Sequence, residues 1–392
     1  MKLASRMSKL EPEGAFKVLA EAVDLERQGK SIIHFEIGQP DFETPPNITE
    51  AAIKAIRSGK TKYTPSLGIL PLRHAIADWT TKQKGIKVDV SQIAVTPSCK
   101  TALFTALASI VSPGDEVLYP DPAFPAYKIL VEFFGGKAVS VPLTEKKQFS
   151  FDMNVFRRKI SKKTKLIILN YPGNPTGTLI PKKDLEEIAD LACRFKSWIL
   201  TDEIYSRILY TQEPYHSIYS IPKIRKQTII VDGFSKTYSM TGWRLGWLVA
   251  PKKIMKKIEY FLTHSFACTA TFTQEAGLEA FLGPQKSVKE MVGEFKKRRD
   301  FVIETLNSMP GVTTLLPHGA FYAFPNIKSF GRTSQEIASF LLKEANVALL
   351  AGTAFGRFGE GYLRISYATD IQNLRLGLER IKKAFKKLKT LP

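Results

Sequence analysis

The sequence predicts an α/β fold with two parts: a large domain on a mainly parallel sheet flanked by helices, and a smaller α+β domain. Between about residues 96 and 251, short apolar runs mostly alternate with helical patterns. Such runs are typical of strands buried on both faces of a parallel sheet. After residues 283 and 284, a Gly-Pro pair, the pattern changes to a long charged helix and short strand-like pieces. The length of 392 residues is sufficient for two domains.

The predicted elements follow from these patterns. The strands of the large domain are the apolar runs 93–95, 116–119, 166–169, 198–200 and 228–231, and residues 182–195 form a crossover helix. In the smaller domain we expect a helix over 288–306, strands near 321–324 and 362–366, and a terminal helix. We therefore expect residues 1–40 to form an N-terminal arm and part of the small domain, 41–283 the large domain and 284–392 the small domain.

The composition excludes some classes of protein. The net charge of +20, from 57 Lys+Arg against 37 Asp+Glu, allows a nucleic-acid partner, but the basic residues are scattered and only 382–389 forms a dense run. A lysine-rich solvated surface that attracts anionic substrates is the favoured interpretation, with no nucleic-acid partner. No apolar stretch is long enough to cross a membrane, so no membrane partner is expected.

The ends of the chain and the cysteines indicate the compartment. The basic residues 1–10 lead into an amphipathic segment, 14–29, rather than an apolar signal core, so no export is expected. The three cysteines show neither disulfide nor zinc spacing, and no metal site is expected. These observations favour the cytoplasm.

Polar side chains follow three of the predicted strands. Asn174 comes after run 166–169, Asp202 after 198–200 and Lys236 after 228–231. Ligands bind beyond the carboxyl ends of parallel strands, so we expect an amide, a carboxylate and a lysine to converge there. A buried lysine can lose its proton and become a nucleophile, although a lysine after a strand is more often a surface group. Arg244, between two glycines, supports a phosphate site because its planar fork matches phosphate.

The segment around this lysine resembles a known motif. Residues 235–246 read Ser-Lys-Thr-Tyr-Ser-Met-Thr-Gly-Trp-Arg-Leu-Gly and are similar to the cofactor-lysine motif of class I/II aminotransferases. Four further segments occur in family order: Gly-Gln-Pro-Asp-Phe at 38–42, Asn-Pro-Thr-Gly at 174–177, Asp-Glu-Ile-Tyr at 202–205 and Arg-Ile-Ser at 364–366. The resemblance spans nearly the whole chain, and is greatest to the aspartate and aromatic aminotransferase branch of the fold-type I enzymes that use pyridoxal phosphate (PLP).

The resemblance assigns catalytic roles to three residues. It makes Lys236 the residue that holds PLP as an imine and then moves a proton at the substrate. It makes Asp202 the partner of the pyridine nitrogen, although an Asp between a strand and a helix is as often a helix cap. It makes Tyr205, with Asn174, a hydrogen-bond partner of the ring oxygen. Without the resemblance, Tyr205 is a core aromatic and Asn174 a turn residue.

The resemblance also assigns the rest of the cofactor site. The phosphate falls to Ser98 and the amide of Cys99 at a helix start, where the helix dipole favours an anion, together with Ser235 and Arg244. The family stacks an aromatic ring on the cofactor where Phe124 stands; the alternative for Phe124 is a core position. The remaining residue is Tyr63, which matches a tyrosine that reaches the neighbouring subunit's phosphate in a homodimer; the alternative is an ordinary surface aromatic.

The resemblance implies how the protein recognises only one end of the substrate, the α-carboxylate. Arg364 matches the residue that holds the substrate's α-carboxylate with two hydrogen bonds, helped by the backbone of Gly38 and by Asn174. Lys100 is either a receptor for a second carboxylate or a solvated lysine, and Arg207 is a guess for that second carboxylate. The preferred substrate stays open.

The resemblance implies transamination: an L-amino acid such as aspartate or an aromatic amino acid donates its amino group, and a 2-oxo acid such as 2-oxoglutarate accepts it. A β-lyase, synthase or oxidase on the same fold keeps the same cofactor residues and is the alternative. A non-catalytic nucleic-acid-binding regulator is a remote alternative, since no DNA-binding motif accompanies the site.

Overall fold

The computed structural model describes residues 3–10, 12–212 and 214–390. The helices are α1 (Gly14–Arg27), α2 (Pro46–Arg57), α3 (Leu70–Lys84), α4 (Cys99–Ile110), α5 (Ala126–Phe133), α6 (Met153–Lys159), α7 (Lys182–Phe195), α8 (Phe234–Thr237), α9 (Lys252–Ser265), α10 (Thr271–Leu282), α11 (Lys286–Asn307), α12 (Ser334–Ala345) and α13 (Ile371–Thr390). The strands are β1 (Ile33–His34), β2 (Ile93–Thr96), β3 (Glu116–Asp121), β4 (Lys137–Pro142), β5 (Thr164–Asn170), β6 (Trp198–Asp202), β7 (Thr228–Gly233), β8 (Gly246–Val249), β9 (Tyr322–Ala323), β10 (Val347–Ala348), β11 (Leu350–Ala351) and β12 (Leu363–Ser366).

A seven-stranded sheet forms the centre of the molecule. Its order is β2-β8-β7-β6-β5-β3-β4, and only β8 runs antiparallel to its neighbours. The predicted fold class is therefore confirmed. Each of the five predicted apolar runs lies in a strand. The predicted runs did not include β4, an edge strand that is mostly half-buried, or β8, a short run that begins inside the Gly-Trp-Arg-Leu-Gly motif.

Both faces of this sheet are covered, which explains the continuous apolar runs. On one face, Leu103 and Leu107 of α4 and Ile258 of α9 pack against strand residues such as Val117. On the other face, α7 contributes Leu185, Ile188 and Ala189. Burial of apolar surface on both sides is the main stabilising contribution in such a sheet.

The last third of the chain builds a second core. Strands β11, β12 and β9 form a three-stranded antiparallel sheet, and α11, α12 and α13 contribute to the same apolar cluster. The N-terminal segment joins this part, because β1 pairs in parallel with β10 and Phe35 is buried in the same cluster. The proposed domain bounds stay a prediction.

The C-terminal helix α13 is amphipathic. In α13, Leu374, Leu378 and Phe385 are buried, whereas the side chains of Lys382, Lys383, Lys386 and Lys387 are exposed. Much of the basic run 382–389 thus lies on a solvated helix face.

Near the other end, Ser5–Lys9 form a short 3-10 turn before α1, and positions 1, 2 and 11 lie outside the described residues. Within the described ranges, no helix has the length and apolarity needed to span a membrane.

Candidate active site

A cavity of about 620 Å³ opens at the carboxyl ends of the parallel strands. All predicted site residues except Tyr63 line it: Gly38, Ser98, Cys99, Phe124, Asn174, Asp202, Tyr205, Ser235, Lys236, Arg244 and Arg364. The structure therefore brings together residues from the N-terminal segment, from the ends of several strands of the central sheet and from β12.

Lys236 lies at the base of the cavity, in the short helix α8 that follows β7 directly. Its ammonium donates a hydrogen bond to the carbonyl oxygen of Gly38 at 2.5 Å. Burial, with a smaller contribution from the positive charge of Arg364, lowers the pKa of Lys236 to about 8. A neutral amine is therefore accessible near physiological pH, as nucleophilic and general-base chemistry require.

Asp202 ends β6 and is buried beside the cavity. Its carboxylate accepts a hydrogen bond from the Tyr127 hydroxyl at 2.7 Å and one from the Ile204 amide at 3.2 Å. The second bond closes a turn rather than capping a helix, because residues 204–207 form a turn and no helix follows β6. Asp202 also lines the cavity. Burial raises the pKa of Asp202 to about 6, so the carboxylate is mainly ionised at neutral pH and suits a positively charged partner.

Two further polar side chains face the same space. Among the described residues, the buried Oδ1 of Asn174 has no hydrogen-bond partner. The backbone N–H of Asn174 donates a hydrogen bond to Oδ1 of Asn170 at 3.1 Å. The hydroxyl of Tyr205 lies 2.7 Å from the hydroxyl of Tyr322, and its ring packs edge-on against Phe321. Tyr205 is thus a core aromatic whose polar end reaches the cavity. An unpartnered buried polar group is costly, so the Asn174 oxygen suits a ligand donor.

The start of α4 forms a cradle for an anion. Ser98 is the N-cap, its hydroxyl accepts a hydrogen bond from the Thr101 amide at 3.1 Å, and its φ is +130°. A Cβ on Gly246 of β8 would lie 2.3 Å from the Cys99 nitrogen, so this close approach requires glycine. Helix-start amides and the helix dipole favour a negative group here, and the guanidinium of Arg244 lines the same cavity.

Arg364 is a buried cation. It lies in β12, is 3% exposed, donates one hydrogen bond to the carbonyl oxygen of Glu36 and stacks on the Tyr322 ring at 4.7 Å. Its Nε has no hydrogen-bond partner among the described residues. Burial lowers the pKa of Arg364. A buried charge with free donors is costly without an anion, so this arrangement suits a carboxylate ligand.

The remaining candidates lie at or beyond the mouth. Lys100 lines the cavity and forms an ion pair with Glu13 at 2.9 Å. Arg207 lies outside this cavity: its guanidinium stacks on Trp79 at 4.3 Å and donates to Tyr238 and Gln285. The suggestion that Arg207 binds a distal carboxylate is therefore wrong, because its donors serve neighbouring side chains. Tyr63 is 91% exposed and makes no part of the cavity wall of its own chain.

Several cavity residues were not predicted from the sequence. Tyr127 and Asn170 carried a usable signal, since Tyr127 stands three residues after Phe124 and Asn170 directly follows an apolar run. Tyr322 and Glu13 lie in segments without a motif, and only the long-range fold brings them to the site. Among the residues that the structure describes, no cluster of three or more His, Cys, Asp or Glu could hold a metal ion.

Comparison with known proteins decides the family. The sequence profile of aminotransferase class I and II matches residues 30–381. The chain belongs to this family. This aminotransferase is 40% identical to an aspartate aminotransferase of Pyrococcus abyssi, over 99% of this chain and 100% of that protein. It is also 40% identical to aromatic-amino-acid aminotransferase 2 of Thermococcus litoralis, with the same coverage.

The fold of the aminotransferase agrees with solved structures. The aspartate aminotransferase of Rhizobium meliloti superposes with a TM-score of 0.95 at 32% identity, and the match covers 98% of this chain and 99% of that chain. The predicted resemblance and the predicted amino-group transfer are therefore confirmed, and the alternative reactions on the same fold are not favoured. Enzymes of this family use PLP.

A histidine next to the site is held in its charged form. His34 of β1 lies 2.8 Å from a carboxylate oxygen of Glu36 and 3.1 Å from one of Glu26. The hydrogen bond with Glu36 is the main cause that raises the pKa of His34 from 6.5 to about 9. Glu36 is fully buried, and its backbone carbonyl holds Arg364, so His34 supports the segment that carries this contact.

We expect His34→Gln to lose stability in a pH-dependent way. Because the folded-state pKa of His34 is raised, its contribution is complete below pH 6.5 and is lost as the pH rises through about 9. The free energy of unfolding, from urea titrations, should therefore differ between wild type and variant at about pH 6 and converge at about pH 10. His74→Gln, an exposed histidine on α3, is the control. An equal difference at both pH values would contradict this assignment.

Proposed function

We propose that this aminotransferase binds PLP at Lys236 and transfers the amino group of aspartate, an aromatic amino acid or a similar L-amino acid to a 2-oxo acid such as 2-oxoglutarate. The observation that carries the proposal is the convergence of a half-buried lysine, a buried carboxylate and a buried arginine, Lys236, Asp202 and Arg364, in one cavity. These are the three charges that the cofactor and the substrate carboxylate need.

The cavity fits the cofactor group by group. The α4 cradle with Ser98 and Cys99, the side chain of Ser235 and the cation of Arg244 suit the phosphate. Asp202 suits the protonated ring nitrogen, and the unpartnered Asn174 oxygen and the Tyr205 hydroxyl suit the polar edge of the ring. The cofactor supplies an aldehyde and an electron-withdrawing ring, which stabilises negative charge at the amino-acid Cα. Phe124, in the cavity wall, suits stacking on that ring.

The chain supplies proton transfer and orientation. With its pKa lowered to about 8, Lys236 can take a proton from the substrate Cα as a neutral amine and, as the ammonium, would deliver it to the cofactor carbon that receives the amino group. The carbonyl of Gly38 holds the lysine amine at one side of the cavity. The ionised Asp202, fixed by Tyr127, would supply the negative charge that pairs with the protonated ring nitrogen. Arg364, the backbone of Gly38 and Asn174 would orient the substrate by its α-carboxylate.

The substrate's far end meets a mixed surface. Phe16 and Leu103 supply apolar contact, and Lys100 supplies a positive charge that suits a second carboxylate. Relatives named for aspartate and for aromatic amino acids are equally similar to this chain, at 40% identity. The proposal therefore includes both classes of donor, because the cavity offers contacts to each.

We further propose that the enzyme is a cytoplasmic homodimer. Support for the dimer is Tyr63, an aromatic residue that its own chain leaves almost fully exposed and that corresponds to a residue reaching the neighbouring phosphate. Support for the compartment is that Cys99, Cys193 and Cys268 are all free thiols, as is usual in a reducing environment.

Lys236→Ala should keep the fold and lose both the visible absorption band of lysine-bound PLP and amino transfer, since the other lysine that lines the cavity, Lys100, is paired with Glu13. The measurement is the absorption spectrum of purified protein with PLP, before and after a panel of amino acids and then a 2-oxo acid. Lys87→Ala, an exposed lysine, is the control and should behave as wild type. Turnover that survives in Lys236→Ala would remove the central assignment.

Arg364→Lys should raise KM for the amino acid about 10- to 100-fold with a smaller effect on kcat, because a point charge cannot replace two parallel hydrogen bonds to a carboxylate. Steady-state kinetics over a range of donor concentrations measure this. Arg375→Lys, on the exposed side of α13, is the matched control. An unchanged KM would show that another group holds the carboxylate.

The dimer proposal predicts complementation. Tyr63→Ala and Lys236→Ala subunits, co-expressed with different tags and purified through both, should form a hybrid with one intact site, because Tyr63 of one subunit would serve Lys236 of the other. Its activity should exceed that of either variant alone. If Tyr63 acted within its own chain, the hybrid would show no gain over the Tyr63→Ala enzyme.

A further inference from the structure

A glutamate of the chain itself lies in the substrate end of the cavity. Glu13 lines the cavity together with Ala15 and Phe16, and its Oε2 is 2.9 Å from the ammonium of Lys100. Its charge also acts on Arg364, whose pKa it raises slightly against the larger effect of burial. A carboxylate of the protein is thus paired with one of the two cations, Lys100 and Arg364, that a dicarboxylate substrate would need.

The local structure explains why this side chain is there. Glu13 is the N-cap of α1, yet its side chain makes no capping hydrogen bond. The start of the helix is packed closely, because a Cβ on Gly14 would lie 3.1 Å from the Cβ of Ala354. The side chain of Glu13 is therefore not used to cap its helix, and the anchored helix start directs it toward Lys100.

The pair is placed so that it can exchange partners. The side chain of Lys100 is 51% exposed and that of Glu13 is 29% exposed, so water can solvate each if the other leaves. Ion pairs with this degree of exposure are weak. Lys100 also lies 5.2 Å from the centre of the Phe124 ring, in the wall that faces the substrate.

We propose that Glu13 determines substrate class by acting as an internal competitor for Lys100. The proposal rests on the function proposed above. When the substrate side chain is aromatic or otherwise uncharged, Glu13 remains the partner of Lys100, so neither of these two charges lacks a counterion. When the substrate carries a second carboxylate, that group takes Lys100, and Glu13 turns toward solvent because two carboxylates on one ammonium repel each other. Dicarboxylates therefore bind less tightly than they would if Lys100 were not paired with Glu13.

The test is Glu13→Gln, which keeps the size and hydrogen-bonding capacity of the side chain and removes its charge. We expect KM for aspartate and 2-oxoglutarate to fall about 3- to 10-fold, and KM for phenylalanine to change less than about 2-fold. The gain should shrink at high ionic strength, because salt screens partly exposed charges. A merely structural role for Glu13 would move all three KM values together and would show no such salt dependence.

Non-reacting ligands give a second readout. Inhibition constants for succinate and for 3-phenylpropionate compare a dicarboxylate with an aromatic monocarboxylate, even if the wild-type enzyme turns over only one class of donor. Glu13→Gln should strengthen succinate inhibition alone. Glu21→Gln, the same change on an exposed position of α1, should alter neither.

The outcomes separate this proposal from the proposed function. If wild-type enzyme transfers amino groups and Glu13→Gln leaves the succinate-to-phenylpropionate ratio unchanged, or weakens succinate, the role of Glu13 is overturned. If wild-type enzyme transfers no amino group from any donor, the proposed function is overturned, and with it the role of Glu13 that rests on it. A selective gain for dicarboxylates supports Glu13 as the specificity-determining residue.

Discussion

One buried cation, one half-buried cation and one short segment of backbone hold the active site together. The carbonyl oxygen of Gly38 accepts a hydrogen bond from Lys236, and that of Glu36 accepts one from Arg364. Cations away from bulk water require such partners, and here both come from the segment after β1. The position of this segment is fixed by its pairing with β10 and by the contact of Glu36 with His34. Lys236 and Arg364 are therefore linked through three residues of main chain.

The central sheet supplies the other half by a simpler route. Because β5, β6 and β7 are parallel neighbours, Asn174, Asp202 and Lys236 follow strand ends at the same edge. The antiparallel strand β8 places Gly246 against Cys99, so the anion cradle and the lysine lie on either side of one strand. Function here follows from strand order, since short loops after adjacent strands have few other places to go.

This division explains how far sequence reasoning reaches. Apolar runs and the polar residues after them are local signals, so the sheet and the residues at its edge could be predicted. Glu13, Glu36 and Tyr322 have no local signal, because their role depends on contacts with residues far along the chain. The same limit explains Arg207: its sequence neighbourhood lies next to Tyr205, but its side chain points to Trp79 on another surface. Residue type and spacing do not determine which side of a turn a long side chain takes.

The pairing of the first strand with strands near the end of the chain has a consequence for biosynthesis. The Arg364 contact with Glu36 spans 328 residues and the Lys236 contact with Gly38 spans 198. While the ribosome is still adding the last helices, β10 and β12 cannot yet dock, so the cavity has no substrate end and its lysine lacks the surroundings that lower its pKa. A nascent chain thus carries an ordinary lysine at position 236. Its pKa falls only after synthesis is nearly complete, when the folded protein surrounds it and brings the charge of Arg364 close.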